Sequence, residues 1–454
     1  MAKFTVTYDD FSGGLWVGGR SRAKQPKNTY EGVDLIPEPG SGYLMPTGGW
    51  TAHTSYSYLP PLIADSTYAW YIDPIGSNVG YFAYPDGAPT DITSADPPAG
   101  DPVLFDGKFV TPALSLSELL VAAVGDVSAT VVTTPDELYA LCVYDAWVLG
   151  AASTQPNRIY YCDAYDPTTW QSASYYDVGS VTDYITAMVP HNGALYIATF
   201  GGWYIANGIP GETFSIHKLN SHSTELNTKA VDADLRIMYT APARSWLNEL
   251  SGIIVSPAGY PVVYPVGGPV RWGPFVVVAD TDATYFYDIL TRTWFAMSQL
   301  SSGMMPCPAP TATGLTLFVV DGDDVYEREI LPGDCGFASS AFVQSTALLA
   351  DYMHKSEFRV TEVVAEVEMD TNSSTADRSI AVKVLTPGHP DMALASASAA
   401  ATTEQTYTWN VAGTQQVAVV RFNINDHPPT YLAQPQVKLK GVKLRRLILR
   451  CTES

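Results

Sequence analysis

The strongest constraint on the fold lies between residues 138 and 203, where two similar units follow each other. Each unit consists of short apolar segments separated by turn residues, as in residues 139–150 (YALCVYDAWVLG) and the polar loop after them. The second unit places the turn residues Asn192 and Gly193 between residues 185–189 and 194–200. No helical pattern intervenes. This spacing indicates small antiparallel sheets repeated along the chain, which is the pattern of β-propeller blades.

A short sequence pattern that occurs twice supports the repeat. Asp163 precedes Trp170 in the first unit, and Asp288 precedes Trp294 in a later segment, with a threonine before each tryptophan. At about 40 to 50 residues per blade, we predict a propeller of about six blades over residues 46–345.

Two local signals predict turns or caps within that interval. Residues 134–138 (TPDEL) resemble the start of a one-turn helix, with Thr134 as the cap and Pro135 at the first position. Residues 321–324 (DGDD) have the oxygen ligands that a cation such as calcium prefers. A hairpin turn at Asp321 and Gly322 is the favoured interpretation.

The two ends of the chain have a different character. Residues 1–45 are dense in glycine and proline and predict an extended arm, which either packs on the main body or reaches a neighbouring subunit. After residue 350, four segments alternate apolar and polar residues with a period of two. We therefore predict an all-β chain, in which a propeller is followed by a C-terminal β-sandwich over residues 346–454.

Charge and cysteine content limit the possible partners. The chain carries a formal net charge of −21, which argues against general electrostatic binding to nucleic acid. Five cysteines at wide spacings predict buried thiols of a protein folded in a reducing cytoplasm. The N-terminus lacks the apolar core of a signal peptide, and the most apolar window, residues 113–124, is too short to insert into a membrane.

Basic residues are concentrated in two segments of this acidic chain. One is the arm, and the other is a predicted last strand at residues 437–450, with bulges expected at Gly441 and at Arg445. That strand is interpreted either as an edge strand guarded by positive charge or as a contact with an acidic partner, such as another copy. The candidate subunit contacts are Arg20, Arg22, Lys24, Lys438, Lys440, Lys443, Arg445 and Arg446.

No catalytic constellation stands out, and we expect a protein that is not an enzyme and has no cofactor and no metal. Residues 163–170 (DAYDPTTW) resemble an Asp-box turn but lack its small residue and its glycine. The 28 tyrosines and 10 tryptophans are interpreted mainly as core and cross-strand pairs, with a sugar-binding platform as the alternative.

Several segments resemble virion proteins of tailed bacteriophages, in particular the propellers of tail hub and nozzle proteins. They are residues 10–15 (DFSGGL), 28–32 (NTYEG), 40–46 (GSGYLMP), 156–161 (PNRIYY), 166–170 (DPTTW), 191–208, 358–363 (FRVTEV) and 444–450 (LRRLILR).

The resemblance implies a structural component of a phage tail, assembled in the host cytoplasm and carried in the virion. Such proteins form a hexameric ring at the end of the tail tube, through which the DNA leaves. The expected partners are other copies of the chain, adjacent tail or head–tail connector proteins, and DNA in transit, with no membrane insertion. The alternative is a propeller of the tail that recognises glycans on the host surface.

Overall fold

The computed structural model describes the residues in the following ranges: 3–8, 31–37, 44–47, 50–53, 61–73, 78–83, 87–225, 228–234, 236–241, 245–250, 254–255, 267–279, 283–298, 307–311, 314–321, 324–329, 342–344, 357–369, 379–385, 392–393, 397–398, 405–410, 419–421, 434–440 and 442–453. Every regular element within these ranges is a β-strand. These residues include no helix with the length and hydrophobicity that a membrane crossing requires.

Five strands precede the propeller: β1 (Lys3–Tyr8), β2 (Glu31–Val33), β3 (Leu35–Pro37), β4 (Leu44–Pro46) and β5 (Trp50–His53). The first three blades are formed by β6 (Pro61–Ala64), β7 (Tyr68–Ile72), β8 (Val79–Ala83) and β9 (Thr90–Ile92); by β10 (Val103–Phe105), β11 (Lys108–Pro112), β12 (Glu118–Ala123) and β13 (Thr130–Thr133); and by β14 (Leu138–Tyr144), β15 (Trp147–Ala152), β16 (Arg158–Asp163) and β17 (Asp166–Asp177).

The next three blades are formed by β18 (Ile185–His191), β19 (Ala194–Thr199), β20 (Gly202–Asn207) and β21 (Ser215–Asn220); by β22 (Lys229–Asp232), β23 (Ile237–Ala241), β24 (Ser245–Glu249) and β25 (Ile254–Val255); and by β26 (Gly267–Trp272), β27 (Phe275–Ala279), β28 (Ala283–Asp288) and β29 (Trp294–Ser298). The seventh blade is formed by β30 (Cys307–Thr311), β31 (Gly314–Asp321) and β32 (Asp324–Glu329), with β5 as its fourth strand.

These seven antiparallel sheets form a closed ring, which confirms the propeller. The first strand of each blade contacts the first strand of the next, and β30 contacts β6. Strand β5, from the N-terminal side, pairs with β32 and so joins the two ends of the ring. The ring has one blade more than the predicted number of about six, because the repeats lie at the short end of the assumed range: six of them separate Pro61, where β6 begins, from Cys307, where β30 begins.

A two-residue hairpin recurs between the first and second strands of the blades. In the fourth blade Asn192 and Gly193 both have positive φ angles, of 50° and 76°. Their register pairs His191 with Ala194, which matches a two-residue hairpin of type I′. The residue before the turn is large and buried in the second, third, fourth and sixth blades: Phe105, Tyr144, His191 and Trp272.

The predicted helix start at residues 134–138 is wrong, because the described backbone there is a bend between the second and third blades. The Thr134 hydroxyl donates to the Asp136 carbonyl at 2.7 Å. The Asp136 carboxylate accepts hydrogen bonds from the backbone N–H and the hydroxyl of Thr154. This buried connection between blades replaces the first helical turn.

The C-terminal strands form two further sheets, together with strands from the N-terminus. Their bounds are β33 (Phe342–Gln344), β34 (Glu357–Met369), β35 (Ser379–Leu385), β36 (Met392–Ala393), β37 (Ala397–Ser398), β38 (Gln405–Asn410), β39 (Val419–Arg421), β40 (Gln434–Lys440) and β41 (Val442–Glu453). A seven-stranded sheet contains β1, β3, β4, β34, β38, β39 and β41, and a six-stranded sheet contains β2, β33, β35, β36, β37 and β40. Packing of these sheets as a sandwich stays a prediction.

The single predicted strand at residues 437–450 is two strands. The first, β40, ends at Lys440 in one sheet, and the second, β41, begins at Val442 in the other. The expected bulge at Arg445 is confirmed, because Glu366 pairs with Arg446 while Val367 pairs with Leu444. The edge-strand interpretation is wrong: β40 lies between β33 and β35, and β41 pairs with β34 on one side and with β1 and β4 on the other.

The N-terminal strands connect the propeller to the seven-stranded sheet. Ile36 and Met45, which pair across β3 and β4, pack into the core of the sixth blade with Trp272. The N–H of buried Asp34 donates to the Ala296 carbonyl of the same blade at 2.8 Å. Strand β4 also pairs with β41 through Leu44. These contacts match the interpretation that this part of the arm packs on the main body, while the domain boundaries stay predictions.

Candidate functional site

The candidate site lies at one end of the propeller, which we call the turn end. In a four-stranded antiparallel sheet, the connections from the first to the second strand and from the third to the fourth reach the same end. In this chain those connections are rich in carboxylates: Asp65, Asp106, Asp126, Asp145, Asp163, Asp166, Glu212, Asp234 and Asp288. The turn end therefore repels polyanions and attracts cations, as does the opposite end, where Asp96, Asp177 and Asp183 lie.

Some of these carboxylates stabilise the turns themselves. Asp166 accepts hydrogen bonds from the backbone N–H and the hydroxyl of Thr168, at 3.0 Å and 2.6 Å, and from the Thr169 hydroxyl at 2.8 Å. These bonds hold the pKa of Asp166 below its ordinary value, and the charge of Lys108 adds to this effect. Asp166 is thus an ionised residue whose hydrogen bonds shape the outer turn of the third blade.

The sequence pattern that occurs twice falls on equivalent outer turns of the third and sixth blades. In the sixth blade, Asp288 accepts hydrogen bonds from the N–H groups of Leu290 and Thr291, at 2.8 Å and 3.1 Å. In both blades a carboxylate at the end of the third strand or the start of the fourth orders the turn. The repeat predicted from these residues is confirmed.

The outer turns also carry apolar side chains that point away from the core. Four of them are exposed at the third-to-fourth connections of the second, third, fourth and sixth blades: Val127 at 83%, Tyr165 at 71%, Ile209 at 43% and Leu290 at 79%. Apolar groups at the tips of hydrogen-bonded turns contribute little to folding. Exposed apolar side chains also lie at the opposite end, as at Leu114, Leu116 and Val181, so these four are distinguished only by their recurrence at equivalent turns.

The second, third and fourth blades make this surface continuous, and we call their third-to-fourth connections (residues 124–129, 163–166 and 208–214) the turn rim. Lys108 of the second blade lies close enough to Asp166 of the third to affect its pKa. The Gly211 N–H of the fourth blade donates to the Tyr176 hydroxyl of the third at 2.8 Å. Tyr176 and Phe214 are in ring contact, with centroids 4.7 Å apart.

Inner turns of neighbouring blades are joined by polar contacts, which hold the turn end in shape. The Tyr144 hydroxyl donates to the Gly193 carbonyl of the next blade at 3.0 Å. His191 Nδ1 lies 2.8 Å from a carboxylate oxygen of Asp232, one blade further on. A hydrogen on this nitrogen is required for the bond, because a carboxylate only accepts. Arg271 then links the sixth blade to the fifth through Asp234 at 2.7 Å.

The opposite end of the propeller is crossed by an ion pair. Lys229, at the start of β22, contacts Asp101, which lies two residues before the start of β10. These residues belong to the fifth and second blades, which are not neighbours in the ring, so the two side chains meet across the central channel. A channel bridged by two side chains is too narrow for duplex DNA, whose major groove alone is about 12 Å wide.

The predicted subunit contacts have different positions. Arg20, Arg22 and Lys24 lie outside the described residues. Strand register places Lys438 opposite Phe342 and Ala381, and Lys440 opposite Ser379.

In the seven-stranded sheet, three cations of β41 lie opposite glutamates of β34. The pairs are Lys443 with Glu368, Arg446 with Glu366, and Arg450 with Glu362. Arg445 is the extra residue of the bulge. Directly opposite residues on neighbouring strands interact, and opposite charges there are favourable. A subunit contact by β41 stays a prediction.

The two cysteines whose side chains are described are buried and free, as predicted. Burial raises the pKa of Cys142 to about 12 and that of Cys162 to about 11, so both are protonated thiols at neutral pH. The register of β31 and β32 pairs Asp321 with Asp324, which confirms the predicted hairpin. Among the side chains that the structure describes, no group of three or more His, Cys, Asp or Glu has the arrangement of a metal site.

Sequence reasoning missed the exposed apolar side chains of the turn rim. A signal for them exists, since Val127 and Tyr165 each stand beside an aspartate in a segment otherwise made of turn-forming residues. Hydrophobic periodicity does not detect such residues, because each is a single apolar position between two strands.

Comparisons with known proteins assign no family: no family model and no curated protein matches this chain. Solved structures that resemble it include the computationally designed Ika8 protein, with a TM-score of 0.43, 11% identity, and coverage of 63% of this chain and 100% of that one. Hsv2 from Kluyveromyces lactis has a TM-score of 0.39 at 11% identity and covers 57% of this chain and 90% of its own.

The extracellular domain of BT4673 from B. thetaiotaomicron has a TM-score of 0.46 at 8% identity, with 89% of this chain and 61% of that chain covered. Similarity at this level carries no argument about function. The propeller fold is established by the sheet topology of the chain itself.

Proposed function

We propose that this protein is a structural component of a bacteriophage tail, which forms a ring with other copies of itself at the end of the tail tube. The observation that carries the proposal is the turn end, a rigid surface with many carboxylates and few free cations among its described residues. A surface of this kind does not hold DNA, so DNA can slide past it. The resemblance of the sequence to tail hub and nozzle propellers points in the same direction.

The ion pair between Lys229 and Asp101 limits where DNA can pass in such an assembly. Because it crosses the channel of the propeller, the path for a duplex runs between copies and not through one propeller. The lumen of the ring is then lined by outer surfaces of several propellers. We place the carboxylates of the turn end that lie outside the turn rim toward that lumen.

A glycan-binding propeller of the same tail is the second candidate, and Tyr165 favours it. Its ring is 71% exposed and stands between Asp163 and Asp166. Asp163 accepts a hydrogen bond from the Gln171 amide at 3.1 Å. An exposed aromatic ring beside carboxylate and amide groups has the chemistry that stacks on a sugar ring and binds its hydroxyls.

The experiment that tests the first proposal is cross-linking of assembled phage particles, followed by mass spectrometry. Links between two copies of this chain, and from it to other tail proteins, are expected. A protein found as isolated monomers on the outside of the tail would contradict the ring. Glycan-array binding that is lost in Tyr165→Ser would favour the second candidate.

A further inference from the structure

The turn rim has a defined chemistry that restricts what binds to it. Val127, Tyr165 and Ile209 are exposed apolar groups, and Asp163 and Glu212 lie beside them. Anionic polymers and anionic lipid surfaces are repelled by these carboxylates. A peptide with alternating cationic and small residues fits, since Lys and Arg stems pack on apolar groups while their charges meet carboxylates. The Tyr165 ring adds a face for a cation.

Four cations among the described side chains form ion pairs within the chain. Arg158 forms an ion pair with Asp177, Arg236 with Glu249, Arg271 with Asp234, and Lys229 with Asp101. In β41, register places cations opposite glutamates of β34.

The sequence contains another basic run, at residues 20–27 (RSRAKQPK). These eight residues include four cations and no acidic residue. In a chain of net charge −21, such a run is the natural complement of an acidic, apolar-tipped surface.

The positions of the flanking strands favour a neighbouring copy as the source of this run. Strand β1, before it, pairs with β41, and strand β2, after it, pairs with β33. Strands β2 and β3 also contact β29 of the sixth blade. The turn rim belongs to the second, third and fourth blades. None of them adjoins the sixth blade, because the fifth lies between them on one side and the seventh and first lie between them on the other.

We propose that the turn rim binds the basic segment at residues 20–27 of a neighbouring copy, so that arms link the subunits of a ring. Arg20, Arg22 and Lys24 pair with carboxylates such as Asp163 and Glu212. This inference rests on the proposed self-assembly and specifies the surface that makes it.

The test is sedimentation velocity of the full-length protein over a range of concentrations. The arm variant is Arg20→Glu/Arg22→Glu/Lys24→Glu, and the rim variant is Asp163→Lys/Glu212→Lys. Each is expected to raise the dissociation constant of self-association at least about tenfold, because hydrogen bonds between charged groups contribute about 1.5–3 kcal/mol each. Combining the two sets is expected to restore association, since the charges are exchanged across the contact.

The matched control is Glu118→Lys/Glu137→Lys, which makes the same change in net charge at the opposite end of the propeller. This control is expected to associate like the unmodified protein. Equal effects of the rim and control variants, or a combined variant that stays dissociated, would overturn the inference while leaving ring formation intact. A protein that is monomeric at every concentration would instead count against the proposed ring.

If the protein is monomeric, a peptide-binding measurement still tests the docking surface. A fluorescently labelled peptide of residues 18–30 is titrated with the full-length arm variant, and anisotropy is recorded. Binding that the rim variant loses supports the inference. Absence of peptide binding, or binding of a glycan at Tyr165 in its place, overturns it.

Discussion

The fourth blade of the propeller and the seven-stranded sheet bury their strands in different ways. In β18, the five residues from Ile185 to Val189 are all buried, because each blade packs between two neighbours. In β41, Leu444 and Leu447 are buried, whereas Arg450 is exposed and Arg446 is half-buried. The first pattern is typical of a strand covered on both faces, and the second of a sheet covered on one face. The same backbone geometry thus takes two sequence patterns, according to the number of covered faces.

Among substitutions that test this comparison, the largest loss of stability is expected at Trp203 in β20. Its indole is fully buried against Tyr239, with ring centroids 5.2 Å apart, and its Nε1 has no hydrogen-bond partner. Trp203→Ala should lower the free energy of unfolding by about 3–5 kcal/mol, as a large cavity does. Trp203→Phe should cost clearly less, because no hydrogen bond is lost. Urea unfolding measures both.

The control for Trp203 is Leu219→Ala on the exposed outer strand of the same blade, which should change stability by no more than about 0.5 kcal/mol. If Trp203→Ala were as mild as Leu219→Ala, burial between neighbouring blades would be refuted.

The one-sided sheet can be tested at Leu447. This side chain is buried on the apolar face, and its neighbour across the strands is Tyr8 of β1. Leu447→Ala should cost about 2–4 kcal/mol in the same unfolding experiment. Thr7→Ala, on the exposed face of the adjacent strand, should be close to neutral. Equal costs at these two positions would mean that both faces are covered.

The pH dependence of stability tests the burial of Cys142 within the third blade. Burial raises its pKa to about 12 from an ordinary value of 9.0, so folding favours the neutral thiol. Its contribution is fully present below pH 9 and is lost as the pH rises toward 12, since the unfolded chain ionises first. The loss at pH 10 should be about 1.4 kcal/mol. Cys142→Ala should remove this part of the pH dependence, and an unchanged profile would contradict the assignment.

The smallest expected effect concerns the charged face of the seven-stranded sheet. Glu366→Lys places two cations opposite each other, because Glu366 pairs with Arg446 in register. We expect a loss of about 0.2–1 kcal/mol, which is the range for cross-strand charge pairs. The double variant Glu366→Lys/Arg446→Glu should recover most of it. A double variant no more stable than the single one would argue that this register pair does not interact.

Much of the fold could be predicted from the sequence, and the errors have physical causes. The short apolar segments around residues 138–203 predicted blades, since double burial leaves few polar positions inside a strand. The period of two at residues 361–369 predicted a strand, which the structure shows as part of β34. The blade number came out one short, because the repeat length was assumed and not read from the recurring inner hairpin at Asn192 and Gly193.

The basic residues near the C-terminus were placed on one edge strand, whereas they belong to two interior strands. Sequence pattern does not reveal which strands pair when the partners lie far apart, as β1 and β41 do. The same limit applies to the turn rim, whose exposed side chains are brought together by ring closure. Tyr165 and Ile209 are distant in sequence. Their turns belong to one surface because the third blade packs on the fourth, through the contacts of Tyr176 with Gly211 and Phe214.

Electron cryo-microscopy of the tail assembled from this protein and its partners tests the central claim most directly. A closed ring of copies is expected around a lumen wide enough for duplex DNA, with the carboxylates of the turn end outside the turn rim facing that lumen. In the same map each propeller channel should be crossed by the contact between Lys229 and Asp101. Single copies outside the tube, or a lumen lined by lysine and arginine, would contradict the account.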